Sequence, residues 1–144
     1  MTYPIIIKSE NPGKESLMTE KYLIDTDVII DYLRSEPHSI EFLESVNEEM
    51  LISAITTAEL YSGIRNHQEK RKIEEFIKAF DFIPVNKEIA EKGGLIRNEF
   101  GKSFNIGLAD SLIAATSIIT KSKLVTLNYK HFQMFDNILV PYKK

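Results

Sequence analysis

"KYLIDTDVIIDYL", residues 21–33, decides the reading of this chain. Lys21 to Ile24 form a short apolar run of the kind that becomes a buried strand, and "TDVIIDYLR" follows with helical spacing, Thr26 standing as the expected N-cap. A strand passing directly into a helix is the first half of a βα unit. The stretch also sets Asp25, Asp27 and Asp31 among Leu23, Ile24, Val28, Ile29, Ile30 and Leu33. A buried carboxylate is costly unless it is paired, hydrogen-bonded or bound to a metal ion. Asp25, at the end of the strand between apolar neighbours, has no cap to make and calls for another explanation.

Outward from this stretch, short apolar runs keep alternating with helical patterns. "SIEFLESVNEEM" is helical, "MLISAI" a strand and "TTAELYSGIRN" the opening of another helix. "QEKRKIEEFIKAF" places Ile73, Phe76, Ile77 and Phe80 on one helical face, and "DFIPV" is a strand. "KEIAEKGGLIRNEFG" is a helix weakened by Gly93 and Gly94, and "LADSLIAATSIITKS" is a strongly apolar one. The strand "KLVTL", the short helix "YKHFQMF" and an edge strand in "NILVPY" complete the chain, Pro141 being tolerable only at an edge. This alternation predicts an α/β fold: a single domain with a mostly parallel central sheet of about five strands, flanked by helices. The pattern occupies residues 21–144. Residues 1–20, with "SENPGKES", form an N-terminal extension, read either as a flexible segment or as an extra strand from "YPIIIK". Met18 is an alternative start.

At 144 residues, 43% hydrophobic and 27% charged, the composition is that of one soluble globular domain. No apolar run approaches the roughly 20 residues of a membrane helix, and "YPIIIK" is too short for a signal peptide, so a cytoplasmic location is expected. There is no cysteine, and His38, His67 and His131 have no spacing that points to zinc. Any metal would therefore be held by oxygen, which favours magnesium or manganese. A net charge of −3 argues against a nucleic-acid binder driven by its own positive charge. It leaves room for an enzyme that touches a few phosphates through divalent ions.

Open parallel sheets bind ligands beyond the carboxyl ends of their strands. Asp25 ends the first strand, Glu59 follows "MLISAI", Asp110 stands near the start of the "LADSLIAATSIIT" helix, and Asn128 ends the "KLVTL" strand. These residues, far apart in sequence, map to one edge of the expected sheet. All but Asp25 have an ordinary alternative. Thr56 and Glu59 fit a T-x-x-E capping box, the macrodipole favours Asp110 and Asp27 near helix starts, and Asn128 suits a turn. Asp31, three residues before Arg34, reads as a solvated face.

The segments "YLIDTDVIIDYL", "ITTAELYSGI", "LADSLIAATSI" and "LVTLNYKHF", in this order and spacing, resemble the PIN-domain ribonucleases. Among these they are most similar to VapC-type toxins of toxin–antitoxin pairs. The resemblance covers nearly all of Lys21 to Tyr142. It implies an acidic site holding magnesium or manganese, with Asp25, Glu59 and Asp110 as the characteristic acids. Thr26 matches a hydroxyl residue that supports the first acid, and Asp27 stands where the family often has Asn or Ser. Asn128 matches a fourth position that is Asp in some members, so a second metal site would have one charge fewer here. The extension before Lys21 has no counterpart.

The activity implied is metal-dependent hydrolysis of an RNA phosphodiester, leaving 5′-phosphate and 3′-hydroxyl ends, with Thr26 and Asn128 orienting water or holding the ligands. The partners implied are a second copy of the chain, a small antitoxin seated in the acidic groove, and DNA only through the antitoxin complex. Arg65, Lys70, Arg71 and Lys72, beside His67, are the densest basic cluster that could meet an RNA backbone, with Lys87, Lys92, Arg97 and Lys102 as further candidates. A solvated helix face is the simpler explanation of the cluster. Tyr61, Ile64, Phe76, Ile77 and Phe80 could line an apolar groove for an antitoxin segment, or belong to the core.

"IDTDVII" also imitates the D-x-D start of a haloacid-dehalogenase-like phosphatase. That family needs a late acidic metal motif, and after Asp110 the only acid is Asp136. Two further alternatives are a PIN-domain nuclease of RNA processing rather than a toxin, and a PIN-like module that binds a partner without catalysis. A binding module would tolerate Asp110→Asn; a nuclease would not.

Overall fold

The computed structural model describes residues 20–144. Within them the chain runs β1 (Lys21–Ile24), α1 (Thr26–Leu33), α2 (Pro37–Ser45), β2 (Glu49–Ser53), α3 (Ala54–Ser62) and α4 (His67–Ile77). It continues through β3 (Asp81–Ile83), α5 (Lys87–Phe104), α6 (Leu108–Ile119), β4 (Lys123–Val125), α7 (Tyr129–Phe132) and β5 (Ile138–Leu139). The strands form one five-stranded sheet, ordered β3-β2-β1-β4-β5, in which every neighbouring pair is parallel.

Side-chain alternation along the strands divides the core in two. Tyr22, Ile24, Ile52 and Val125 face one side, where they meet Val28 and Ile29 of α1, Phe42 and Leu43 of α2, Leu60 of α3 and Ile73 of α4. Leu23, Leu51 and Leu124 face the other, against Ile89 and Ile96 of α5, Ile113, Ala114 and Ala115 of α6, and Phe132 of α7. Both faces are buried, which is why the strands read as continuous apolar runs. Of the residues offered as an antitoxin groove, Phe80 is core and Ile64, Phe76 and Ile77 pack on it, while Tyr61 is exposed. Among the described residues no helix is long and apolar enough to cross a membrane.

Several local expectations are corrected. Thr26 is not the N-cap of α1. Asp25 is: it keeps extended backbone (φ −73, ψ 159), and its Oδ1 accepts from the Thr26 N–H at 2.8 Å. The strand thus ends on a residue that does have a cap to make. Nor do Thr56 and Glu59 form a capping box. β2 stops at Ser53, whose Oγ accepts from the Thr56 N–H at 2.9 Å, so α3 starts earlier and Glu59 falls in its second turn.

Asp31 is no solvated-face residue. It is 9% exposed, and its Oδ2 accepts from the Tyr142 hydroxyl at 2.9 Å while Lys144 Nζ donates to Oδ1 at 3.2 Å. The segment after β5 folds back over α1, a contact 111 residues away that supplants Arg34. The glycines do not break α5, which runs unbroken for 18 residues. Gly93 lies where a Cβ would come within 2.5 Å of Leu112 Cδ2 and 3.1 Å of Leu112 Cα, so its missing side chain lets α5 and α6 close on each other. The proposed extension, residues 1–20, lies outside the described residues except for Glu20.

Candidate active site

The chain leaves β1 toward β2 and leaves β4 toward β5, so a crevice opens between β1 and β4 at their carboxyl ends, the topological switch point. The register pairs Ile24 with Val125, and the Asp25 N–H donates to the Val125 carbonyl at 2.9 Å. Asp25 and Thr126 are thereby set side by side across the crevice. The Thr126 hydroxyl donates to Asp25 Oδ2 at 2.7 Å and accepts from the Asn128 N–H at 3.0 Å. With Thr26 N–H on Oδ1, the carboxylate is clamped at both oxygens.

Two residues on, Asp27 presents Oδ2 to the Leu127 N–H at 3.2 Å, while its Oδ1 is buried with no hydrogen-bond partner. Burial, and then the charge of Asp27, push the Asp25 carboxyl up to about 7 against the pull of the Thr126 and Thr26 donors; Asp110 adds to the rise. Burial also raises Asp27, to about 6, opposed by the N–H groups of Leu127 and Val28 and reinforced by Asp31 and Asp110. A buried acidic pair, repelled by a third acid and carrying an oxygen without a donor, has the donor set of an oxygen-ligated divalent cation. Such an ion would supply the missing partner of Asp27 Oδ1 and neutralise the repulsion. In donor chemistry, all oxygen, the residues fit magnesium or manganese.

The remaining acids are held by side chains on neighbouring elements. Thr26 Oγ1 donates to Glu59 Oε1 at 2.6 Å and lies 3.0 Å from Thr56 Oγ1. A hydroxyl has one proton, so Thr26 gives its own to the carboxylate and receives that of Thr56. Asp110, in the first turn of α6, has its Oδ2 3.2 Å from His131 Nδ1, which lies 2.9 Å from the Asn128 side-chain amide. Among the described residues no group of three His, Asp or Glu side chains stands close enough to enclose one ion. The acids are therefore arrayed around the end of β1, each tied to a separate donor.

A family model described as a PIN domain matches residues 22–137. This chain belongs to the PIN-domain family. Ribonuclease VapC10 of Mycobacterium tuberculosis is 36% identical to it over 123 residues, spanning 83% of this chain and 92% of that protein. A toxin–antitoxin complex from Klebsiella pneumoniae superposes with a TM-score of 0.75 at 25% identity, covering 85% of this chain and 99% of that one. VapBC2 from Rickettsia felis, bound to a DNA fragment from its promoter, superposes with a TM-score of 0.71 at 26% identity, covering 83% and 96%.

In this PIN domain the sequence reasoning passed over Thr126 and His131. Thr126 stood within "KLVTL" as one more strand residue, and His131 was weighed only as a zinc ligand. The spacing of Asn128 and His131 on one helical turn was a usable signal; the contacts with Asp25 and Asp110, 101 and 21 residues away, were not. The basic candidates lie on or beside the start of α4. Arg65 is paired with Glu69 at 2.7 Å and Lys72 donates to the Leu33 carbonyl at 2.8 Å, while Lys70 and Arg71 are exposed. Arg65 and Lys72 line a cavity of about 320 Å³ that also includes Glu59.

Proposed function

We propose that this PIN domain is a divalent-metal-dependent endoribonuclease, the toxin of a toxin–antitoxin pair, acting in the cytoplasm. The observation that carries the reading is the partnerless, buried Asp27 Oδ1 beside the raised carboxyl of Asp25 at the switch point. The 36% identity to a ribonuclease supports the substrate class. Asp25, Glu59 and Asp110 would be the ligands, with Asn128 a neutral fourth donor and Asp27 beside them, its Oδ1 completed by the same ion or by a water bound to it. When bound, magnesium or manganese lowers the pKa of a coordinated water and offsets charge on the phosphoryl oxygen.

The chain's own residues supply placement. Thr126 and the Thr26 N–H fix Asp25, Thr26 Oγ1 with Thr56 behind it fixes Glu59, and α6 carries Asp110 to the crevice. Water attacks phosphorus in line, the bond to the 3′ oxygen breaks, and the proton that the water gives up is replaced, through solvent, by one taken up at that oxygen, leaving 5′-phosphate and 3′-hydroxyl ends. Lys70, Arg71, Lys72 and Arg65 meet the RNA backbone beyond Glu59; the exposed Arg65–Glu69 pair is weak enough for a phosphate to displace. The related structures are toxin–antitoxin complexes, which supports an antitoxin as partner; its seat over the acidic crevice and a homodimeric toxin belong to the same proposal. Contact with DNA falls to the antitoxin, because this chain is acidic.

The test is incubation of purified protein with a mixed cellular RNA pool and magnesium or manganese, beside Asp25→Asn, Asp110→Asn and a chelator. Cleavage by the wild type is expected to fall to background in all three. Cleavage that survives chelation, or that survives both substitutions, overturns the reading.

A further inference from the structure

His131 belongs to the site by geometry alone. It sits on α7, and its Nδ1 faces an Asp110 oxygen contributed by α6 and the amide of Asn128 one turn earlier. The ring is 33% exposed and Asp110 28%, so the contact lies at the mouth of the crevice. A carboxylate offers no proton to an imidazole nitrogen. Nδ1 must therefore carry one and donate it to Asp110. Asn128 then turns its carbonyl oxygen, rather than its NH2, toward the same N–H, an orientation that the hydrogen-bond network decides. One N–H thus holds together two of the expected metal donors, which come from different elements.

Nothing else among the described residues is seen to hold the Asp110 side chain. Asp25 is clamped by two donors and Glu59 by a hydroxyl, whereas the hydrogen bond given to the Asp110 carboxylate is that of His131. We propose that His131 is a positioning residue, which orients Asp110 and Asn128 as a pair and so sets how tightly the site binds its divalent ion. It touches neither substrate nor metal; it acts through Asp110. Outer partners of this kind fix ligand orientation, and their removal costs ~10- to 100-fold in metal affinity or activity. The proposal rests on the nuclease reading above.

The experiment measures Mn2+ affinity by electron paramagnetic resonance on full-length wild type, His131→Leu, His131→Asn, Asp110→Asn and the double variant Asp110→Asn/His131→Leu. Cleavage kinetics on single-stranded RNA and thermal melts accompany it. His131→Leu is expected to lose ~10- to 100-fold in Mn2+ affinity, and in kcat/KM at a fixed, subsaturating metal concentration. His131→Asn keeps an N–H close to the Nδ1 position and recovers most of the loss. In the Asp110→Asn background the leucine substitution adds nothing further, because the interaction it removes is already gone.

Wild-type affinity in His131→Leu overturns the proposal. So does a loss that His131→Asn fails to restore although it melts like the wild type, and so does a full additive loss in the double variant. A wild type that binds no Mn2+ at millimolar concentration sinks the metal-dependent reading, and the positioning role with it. Wild-type binding with altered variants and no cleavage of any RNA sinks the nuclease reading and leaves the positioning role established.

Discussion

Asp25 is pulled in opposite directions. As the N-cap of α1 and the acceptor of the Thr126 hydroxyl it is best ionised, yet burial beside Asp27 favours the protonated form, and burial prevails. Folded-state values of about 7 and about 6 stand above the ordinary 3.8, so the folded protein holds protons that the unfolded chain has released. The stability contributed by this pair is complete below about pH 4 and is lost as pH rises through about 7. In chelator, the melting temperature should fall between about pH 5 and about pH 7.5, and Asp25→Asn should flatten that slope. Glu36 and Glu69, lowered by their hydrogen bonds, act in the opposite sense, and the comparison with Asp25→Asn separates them from the pair. Magnesium should raise the melting temperature more at the higher pH, where both carboxylates are charged. A wild-type melting temperature that climbs with pH as steeply as that of Asp25→Asn would count against the buried pair. At this scale the sequence exposed the misfit, three acids in an apolar run, but not its resolution. The Thr126 clamp and the Tyr142 hydroxyl on Asp31 depend on which distant segments become neighbours.

Elements were legible wherever apolar periodicity ran long, and their ends were not. The start of α3 turns on whether Ser53 or a later threonine caps it, and three hydroxyl residues within five positions offer the backbone competing caps. The glycine pair in α5 misled for another reason. Propensity charges about 1 kcal/mol for each glycine in a helix, but packing against α6 decides the matter at Gly93. This separates two neighbouring substitutions. Gly94 has nothing within 4 Å of its absent Cβ, so Gly94→Ala should stabilise by up to about 1 kcal/mol. Gly93→Ala should destabilise by about 1–3 kcal/mol despite the same gain in propensity, because the methyl would meet the Leu112 backbone as well as its side chain. Leu112 follows Asp110 by two residues, so the displaced turn carries a proposed ligand and cleavage should fall too. Urea melts of both variants, read with cleavage assays, check this; equal shifts of the same sign would mean that the two helices are not held by close approach at Gly93.

The whole molecule poses an electrostatic problem for a protein that is to cut RNA. Its 18 basic side chains are outnumbered by 21 acidic ones, and the crevice between β1 and β4 gathers Asp25, Asp27 and Asp110. The parallel α/β architecture was legible from alternation, and the switch-point rule directs attention to the end of β1, because both follow from short-range pattern and chain connectivity. Surface charge pairing was not legible. Of the basic cluster, Arg65 is committed to Glu69 and Lys72 to the Leu33 carbonyl, while Lys70 and Arg71 are exposed. With about two to four phosphate contacts available, log affinity for single-stranded RNA should fall with log salt at a slope of about −1.4 to −2.8, well short of a strongly basic binder. Most of the affinity should instead depend on divalent ions. Filter binding with calcium, an oxygen-seeking ion, should retain RNA far better than binding in chelator. Lys70→Glu/Arg71→Glu should reduce the salt slope by about 1.4, the loss of two contacts, while leaving the Mn2+ affinity of the crevice unchanged. Tight binding in chelator with a steep salt slope would place the RNA on a basic surface away from the acids, and the acidic crevice would then need another substrate.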